Sequence, residues 1–139
     1  MAAASTPPFH PPAIPWHRPQ LLAPQLDLGP GLDPWVFGQA LARLCAEPDV
    51  QAVLAFGSRA RGEARADSDL DLAVIVRRAQ LTPEEKLECW RRFRQRLGLL
   101  GVGIDLVIAG QADAERLSGS RWHMFGDVAR EGRVLYVAG

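Results

Sequence analysis

Two apolar runs, Val53 to Phe56 and Leu70 to Val76, flank a polar stretch that opens with Gly57-Ser58 and closes with Asp69-x-Asp71, in the order FGSRARGEARADSDLDLAVIV. Apolar runs of this length bounded by turn residues read as buried strands. In a strand, residues two apart point to the same face. Asp69 and Asp71 therefore project together, about 6.6 Å apart along the strand at ~3.3 Å per residue. Two hard oxygen ligands on a rigid strand, facing a Gly-Ser backbone turn, suit Mg²⁺ and a triphosphate.

The other elements follow from their own signals. Asp33-Pro34 starts a helix, because Asp caps free N–H groups and Pro fits the first turn. Phe37, Leu41, Leu44 and Cys45 follow at helical spacing, and Pro48 lies beyond its end. The first strand runs from Val50 to Phe56, and residues 59–65 form a short helix or loop. Thr82-Pro83-Glu84-Glu85 is a capping box that opens a helix to about Leu97. Leu87, Trp90, Phe93 and Leu97 share one face of it, and Glu84, Glu88, Arg91, Arg92 and Arg96 make an opposite, solvated face. Gly101 and Gly103 precede a third strand from Ile104 to Ile108. Residues 111–118 and about 120–130 read as helical, with a short strand or tail from Val134 to Val137. The expected fold is α/β (α+β), a small mixed β-sheet flanked by helices.

Residues 1–32 form a Pro-rich N-terminal arm, and residues 33–139 the folded domain. The prolines of the arm block both helix and central strand, so it is expected to be extended, polyproline-like or disordered. Phe9, Ile14, Trp16, Leu21 and Leu22 are its candidate anchors, on the chain's own body or on a neighbouring subunit; a homo-oligomer through the arm is one expectation.

A chain of 139 residues with 47% apolar content builds one core. Its formal net charge of zero argues against a long phosphate backbone as substrate. Lys86 is the only lysine among many arginines, which favours forked contacts to phosphate or carboxylate, although genomic base composition is the plainer cause. Cys45 and Cys89 make no disulfide framework and no zinc pattern, and read as core thiols in a reducing cytoplasm. No apolar run reaches the ~18 residues of a membrane helix. His10, His17 and His123 sit in no metal-ligand pattern. Trp122, Met124 and Phe125 read as core or interface.

A third acid interrupts an apolar strand in GVGIDLVIAG: Asp105. A charge in that setting is paired, binds metal or sits at an edge. If the third strand neighbours the second, Asp105 joins Asp69 and Asp71, and three carboxylates can hold two Mg²⁺ ions about 3.5–4 Å apart. Gly57 lets the backbone approach a bound group. Ser58 offers a hydroxyl and an N–H, and Arg59, Arg61 and Arg65 are candidates for phosphate oxygens. Asp67 and Ser68 read as turn residues.

Gly57-Ser58, ten residues, Asp69-x-Asp71 and the later Asp105 resemble the nucleotidyltransferase superfamily that includes DNA polymerase β. GSRARGEARADSDLDLAV and the tail DVAREGRVLY are most similar to its small branch, the minimal nucleotidyltransferase (MNT-domain) proteins of antitoxin type. The resemblance covers about residues 35–137. It implies that Asp69, Asp71 and Asp105 are the catalytic, metal-binding carboxylates, that Gly57, Ser58 and Arg61 bind the nucleotide, and that Mg²⁺ and ATP are cofactor and substrate. It also implies a partner, since such proteins neutralise HEPN-domain toxins, in described cases by moving AMP from ATP onto a tyrosine. Little chain remains beyond the core to hold an acceptor, which points to a partner protein. Three readings stay open: an AMP transferase acting on a HEPN toxin, a catalytically silent antitoxin that occludes its partner, and a small-molecule, antibiotic-type nucleotidyltransferase.

Overall fold

The computed structural model describes residues 14–139; Phe9 and His10 of the arm lie outside them. Strands β1 (Val50–Phe56), β2 (Leu70–Val76), β3 (Ile104–Gly110) and β4 (Arg133–Val137) form one sheet in the order β3-β2-β1-β4. β1 runs antiparallel to β2 and β4, whereas β2 runs parallel to β3. The central strands are apolar on both faces because both faces are covered.

On one face Val53, Ala55, Leu72, Val74, Leu106 and Ile108 pack against helices α1 (Pro34–Cys45) and α3 (Pro83–Leu97), the latter following the short α2 (Gly57–Arg61) in the chain. Phe37, Leu41, Leu44, Phe93 and Leu97 fill that layer. On the other face the small residues Ala52, Ala73 and Ala109 admit Ala114 of α4 (Gln111–Leu117), and Phe125 and Val128 of α5 (Met124–Glu131), close to the sheet. This mixed sheet between helices is the expected fold class. Local chemistry sets the helix starts. The Asp33 carboxylate accepts from the Trp35 and Val36 N–H groups, both at 2.9 Å. Thr82 and Glu85 close a capping box, at 3.2 and 2.9 Å. Among the described residues no helix is long and apolar enough to cross a membrane.

Three expectations need correction. The buried stripe of α3 is Cys89, Phe93 and Leu97, spaced by four; Trp90 and Leu87 fall to its side and are 42% and 49% exposed. The arginine face of that helix is not simply solvated: Arg96 and Arg92 pair with Glu47 at 2.9 and 3.4 Å. Trp122 is not in the core: it is fully on the surface, because Gly119 and Ser120 break the chain before α5 and its helix starts only at Met124, which leaves only the interface reading for it. His123 caps α5, its Nδ1 accepting from the Phe125 N–H at 3.2 Å.

The arm lies on the chain's own body over its described part. Trp16 is buried edge-on to Phe125, with ring centroids 6.4 Å apart. Gln20 and Val137 exchange backbone hydrogen bonds at 3.0 Å. Leu21 does not anchor the arm to the chain's own body, being 92% exposed; Leu26, Leu28 and Leu32, not singled out from the sequence, are buried with α1. Cys89 is buried and Cys45 half-buried, its thiol pushed up to about 12 by burial.

Candidate active site

β1 ends at Phe56, opposite Asp71 of β2, and the chain turns at once into α2. Gly57 makes that turn at φ +71, in the left-handed region that side-chained residues avoid. A Cβ at Gly57 would also fall on Oδ2 of Asp71. The position thus demands glycine for two independent reasons, one of backbone and one of space.

Asp71 lies beside Asp105 in the parallel register of β2 and β3. Both side chains share the α4/α5 face of the sheet, since Ala73, Ile75 and Ala109, two or four residues on, point there. Asp69 stands just before β2. Its neighbour Leu70 donates its N–H to the Gly103 carbonyl at 2.8 Å, and a Cβ at Gly103 would fall on Oδ1 of Asp69. Two of the aspartates are therefore each backed against a glycine. The sequence offered a signal for Gly103, a glycine two residues before Asp105, but its importance emerges only once β3 is paired to β2.

Crowding leaves an electrostatic mark. The Asp71 carboxyl is pushed up from 3.8 to about 6, first by burial, then by contact with Asp105 and the negative charges of Asp105 and Asp69, with Arg61 pulling it down. A carboxylate whose proton affinity is raised in this way is one a cation would relieve. Among the described residues no group of three or more His, Cys, Asp or Glu side chains is drawn together closely enough to hold a metal ion alone. Asp71 and Asp105 touch, whereas Asp69 acts on Asp71 through its charge. The donor set still fits Mg²⁺, which is usually held by one or two carboxylates with water and substrate phosphates supplying the rest. The glycine recesses leave the room such a site needs.

The basic residues divide. Arg61 is exposed, its Nε donating to Glu63 at 3.1 Å and its Nη1 to Glu131 at 3.5 Å, close enough to the site to act on Asp71. Ser58 is half-buried in α2, and its carbonyl accepts from Glu63 N–H at 2.9 Å. Arg59 is not available to phosphate: it is buried, and its guanidinium is fully engaged by main-chain oxygens. Arg65 is exposed in the loop. Ser68 behaves as a turn residue, its Oγ accepting from the Arg65 N–H at 2.7 Å, and Asp67 is exposed in the same turn. An apolar hollow of about 450 Å³, lined by Lys86, Leu87, Trp90, Leu106 and Ile108, lies at the free edge of β3 and contributes no acid to the site.

A mixed four-stranded sheet with acids at the starts of two parallel strands, facing a glycine-serine turn, is the frame of a nucleotidyltransferase core. The family model "Polymerase beta, Nucleotidyltransferase" matches residues 39–136, and the chain belongs to that family. It is similar to a solved structure described as a minimal nucleotidyltransferase, at 39% identity over 68% of this chain and 83% of that one, with a TM-score of 0.45. It is also similar to a nucleotidyltransferase structure from Sulfolobus solfataricus (16% identity, 70% and 74% of the chains, TM-score 0.48). A toxin–antitoxin structure with AMP-PNP is a further likeness, at 22% identity, 71% and 72% coverage and a TM-score of 0.48. Comparison with curated protein sequences finds no match.

Proposed function

We propose that this nucleotidyltransferase moves AMP from ATP to a hydroxyl on a partner protein, a HEPN-domain toxin, and so serves as an antitoxin in the cytoplasm. The observation that carries the chemical part is the pairing of Asp71 with Asp105 across β2 and β3, with Asp69 coupled to it by charge. Bound Mg²⁺, as two ions, would supply the positive charge that carboxylates alone cannot offer a triphosphate. Asp69, Asp71 and Asp105 are its proposed holders.

The remaining roles fall to the chain itself. The acceptor hydroxyl oxygen attacks the α-phosphorus; a phosphorus–oxygen bond forms there as the bond to the bridging oxygen breaks, and pyrophosphate leaves. The hydroxyl proton passes to the carboxylate of Asp105, which is exposed, as Asp69 is, whereas Asp71 is half-buried. Gly57 lets the backbone approach the phosphates, Ser58 offers them its hydroxyl, and Arg61 offers a guanidinium already beside the site. Rate then comes from positioning and charge stabilisation.

Incubation with Mg²⁺, α-labelled ATP and a HEPN-domain toxin is the test. Label on the toxin, lost with Asp69→Asn/Asp71→Asn, is expected. Full toxin inhibition in EDTA without ATP would instead identify a silent antitoxin that works by occlusion. Transfer to a small alcohol or aminoglycoside but to no protein would identify the antibiotic-type reading.

A further inference from the structure

Among the described residues Arg59 is the only buried polar or charged one, 2% exposed. An isolated buried cation is costly unless every donor is satisfied. Here the donors meet main-chain oxygens. Nε and Nη2 donate to the Ser68 carbonyl at 3.1 and 2.8 Å, and Nη2 also to the Arg65 carbonyl at 3.3 Å. Nη1 donates to the Leu28 and Pro30 carbonyls, both at 2.9 Å.

These oxygens belong to two segments far apart in sequence. Ser68 immediately precedes Asp69, so its carbonyl is part of the peptide plane from which Asp69 departs. Leu28 and Pro30 belong to the arm. The arm fits against the same loop without Arg59 as well: a Cβ at Gly31 would fall on the Ala66 carbonyl, and one at Gly29 would come 3.3 Å from the Ala64 Cβ. Arg59 itself follows Ser58 in α2. One guanidinium therefore ties the glycine-serine turn, the loop that delivers Asp69 and the end of the Pro-rich arm into one unit.

We infer that Arg59 is a positioning residue: with residues 28–31 it forms a clamp that fixes the Asp69-bearing loop relative to the Gly57-Ser58 turn. The functional half of this rests on the transferase reading above; the clamp rests on the hydrogen bonds alone. A lysine cannot replace the fork, because its single ammonium cannot span carbonyls on opposite sides. The arm segment 28–31 then acts as a brace of the site rather than as an appendage to it.

The test uses the full chain with Arg59→Lys, Arg59→Met and Gly31→Ala. The last pushes the arm from the loop without altering the guanidinium and serves if the Arg59 variants do not fold. Amide hydrogen exchange, read without cation or nucleotide, is expected to speed up at residues 28–31 and 65–69 together while β1 and β2 stay protected. Mn²⁺ affinity, read by electron paramagnetic resonance, and kcat should fall about 10- to 100-fold, the usual effect of losing a group that orients ligands, with KM for ATP little changed. Arg61→Met should do the reverse, raising KM and sparing Mn²⁺ affinity. Exchange that speeds up in the arm alone would overturn the clamp. So would an Arg59→Lys protein with raised KM for ATP and unchanged Mn²⁺ affinity and kcat, which would mark Arg59 as a phosphate ligand. A wild-type protein that transfers nothing would count against the transferase reading only, since exchange judges the clamp independently.

Discussion

At the end of β1 and β2 remote from Gly57, Glu47, Asp49 and Glu85 each have a guanidinium. Arg78 donates to Asp49 at 2.7 Å and to Glu85 at 2.6 Å, and Arg92 and Arg96 both pair with Glu47. At the Gly57 end, Asp69, Asp71 and Asp105 have no such partner among the described residues, and Arg61, whose charge reaches Asp71, is directed to Glu63 and Glu131. The chain has arginines enough to pair its acids where only structure is at stake. At one end it leaves them unpaired, and burial, then the neighbouring Asp105 and Asp69, hold the Asp71 proton to about 6. The paired acids are neutralised within the fold; Asp71, beside Asp105 and Asp69, is not, and its charge is held at a cost in stability.

The largest consequence concerns activity. Asp71→Asn should reduce AMP transfer by about 10³-fold or more, the scale of losing a principal charge-stabilising group, measured as label incorporated per minute. Arg78→Ala at the paired end should leave that rate unchanged. Gly103→Ala comes next: a methyl on the Asp69 carboxylate should weaken Mn²⁺ binding and transfer about 10- to 100-fold while circular dichroism stays that of the wild type. Equal activity in Gly103→Ala would show that the recess has no bearing on the site.

Stability should move in opposite directions at the two ends. The folded protein keeps the Asp71 proton up to about 6, whereas its ordinary value is 3.8. The folded state thus binds this proton more tightly, and the carboxyl destabilises the cation-free protein progressively as pH climbs through that interval, with the full penalty present above it. Asp71→Asn should therefore raise Tm in EDTA at pH 7.5 and change it little at pH 3.5. For the same reason Mg²⁺ should raise the wild-type Tm more at pH 7.5 than at pH 5. Arg78→Ala should lower Tm, through a loss of stability of about 1 kcal/mol or less, since its side chain is 41% exposed and its pairs are screened. A Tm that falls in both variants would erase the distinction between the two ends.

The sequence made local features readable and left long-range ones hidden. β1 and β2 were legible because Val50 to Phe56 and Leu70 to Val76 are apolar runs bounded by turn residues, and α3 because Thr82 and Glu85 form a capping box. Spacing suggested one face for Asp69 and Asp71, of which only Asp71 lies within β2, and an acid in an apolar strand drew attention to Asp105, which pairs with Asp71 in register. Three things were not legible. Which side of α3 is buried depended on where α1 packs, so Leu87 and Trp90 were misjudged. Leu26, Leu28 and Leu32 sit among prolines and glycines, with no periodicity to reveal that they enter the core. Arg59 resembled a phosphate ligand because it follows Ser58; its actual partners come from residues 28 and 30 and from the loop at 65–68, a meeting that no local pattern encodes.

The central claim is that the crowded aspartates, and not the paired acids, receive the cation. Anomalous diffraction from crystals soaked with Mn²⁺ and a non-hydrolysable ATP analogue reads this directly. A peak beside the carboxylates of Asp69, Asp71 and Asp105 is expected, with triphosphate density facing Gly57 and Ser58. No peak there, or a peak only at Glu47 and Asp49, would contradict it.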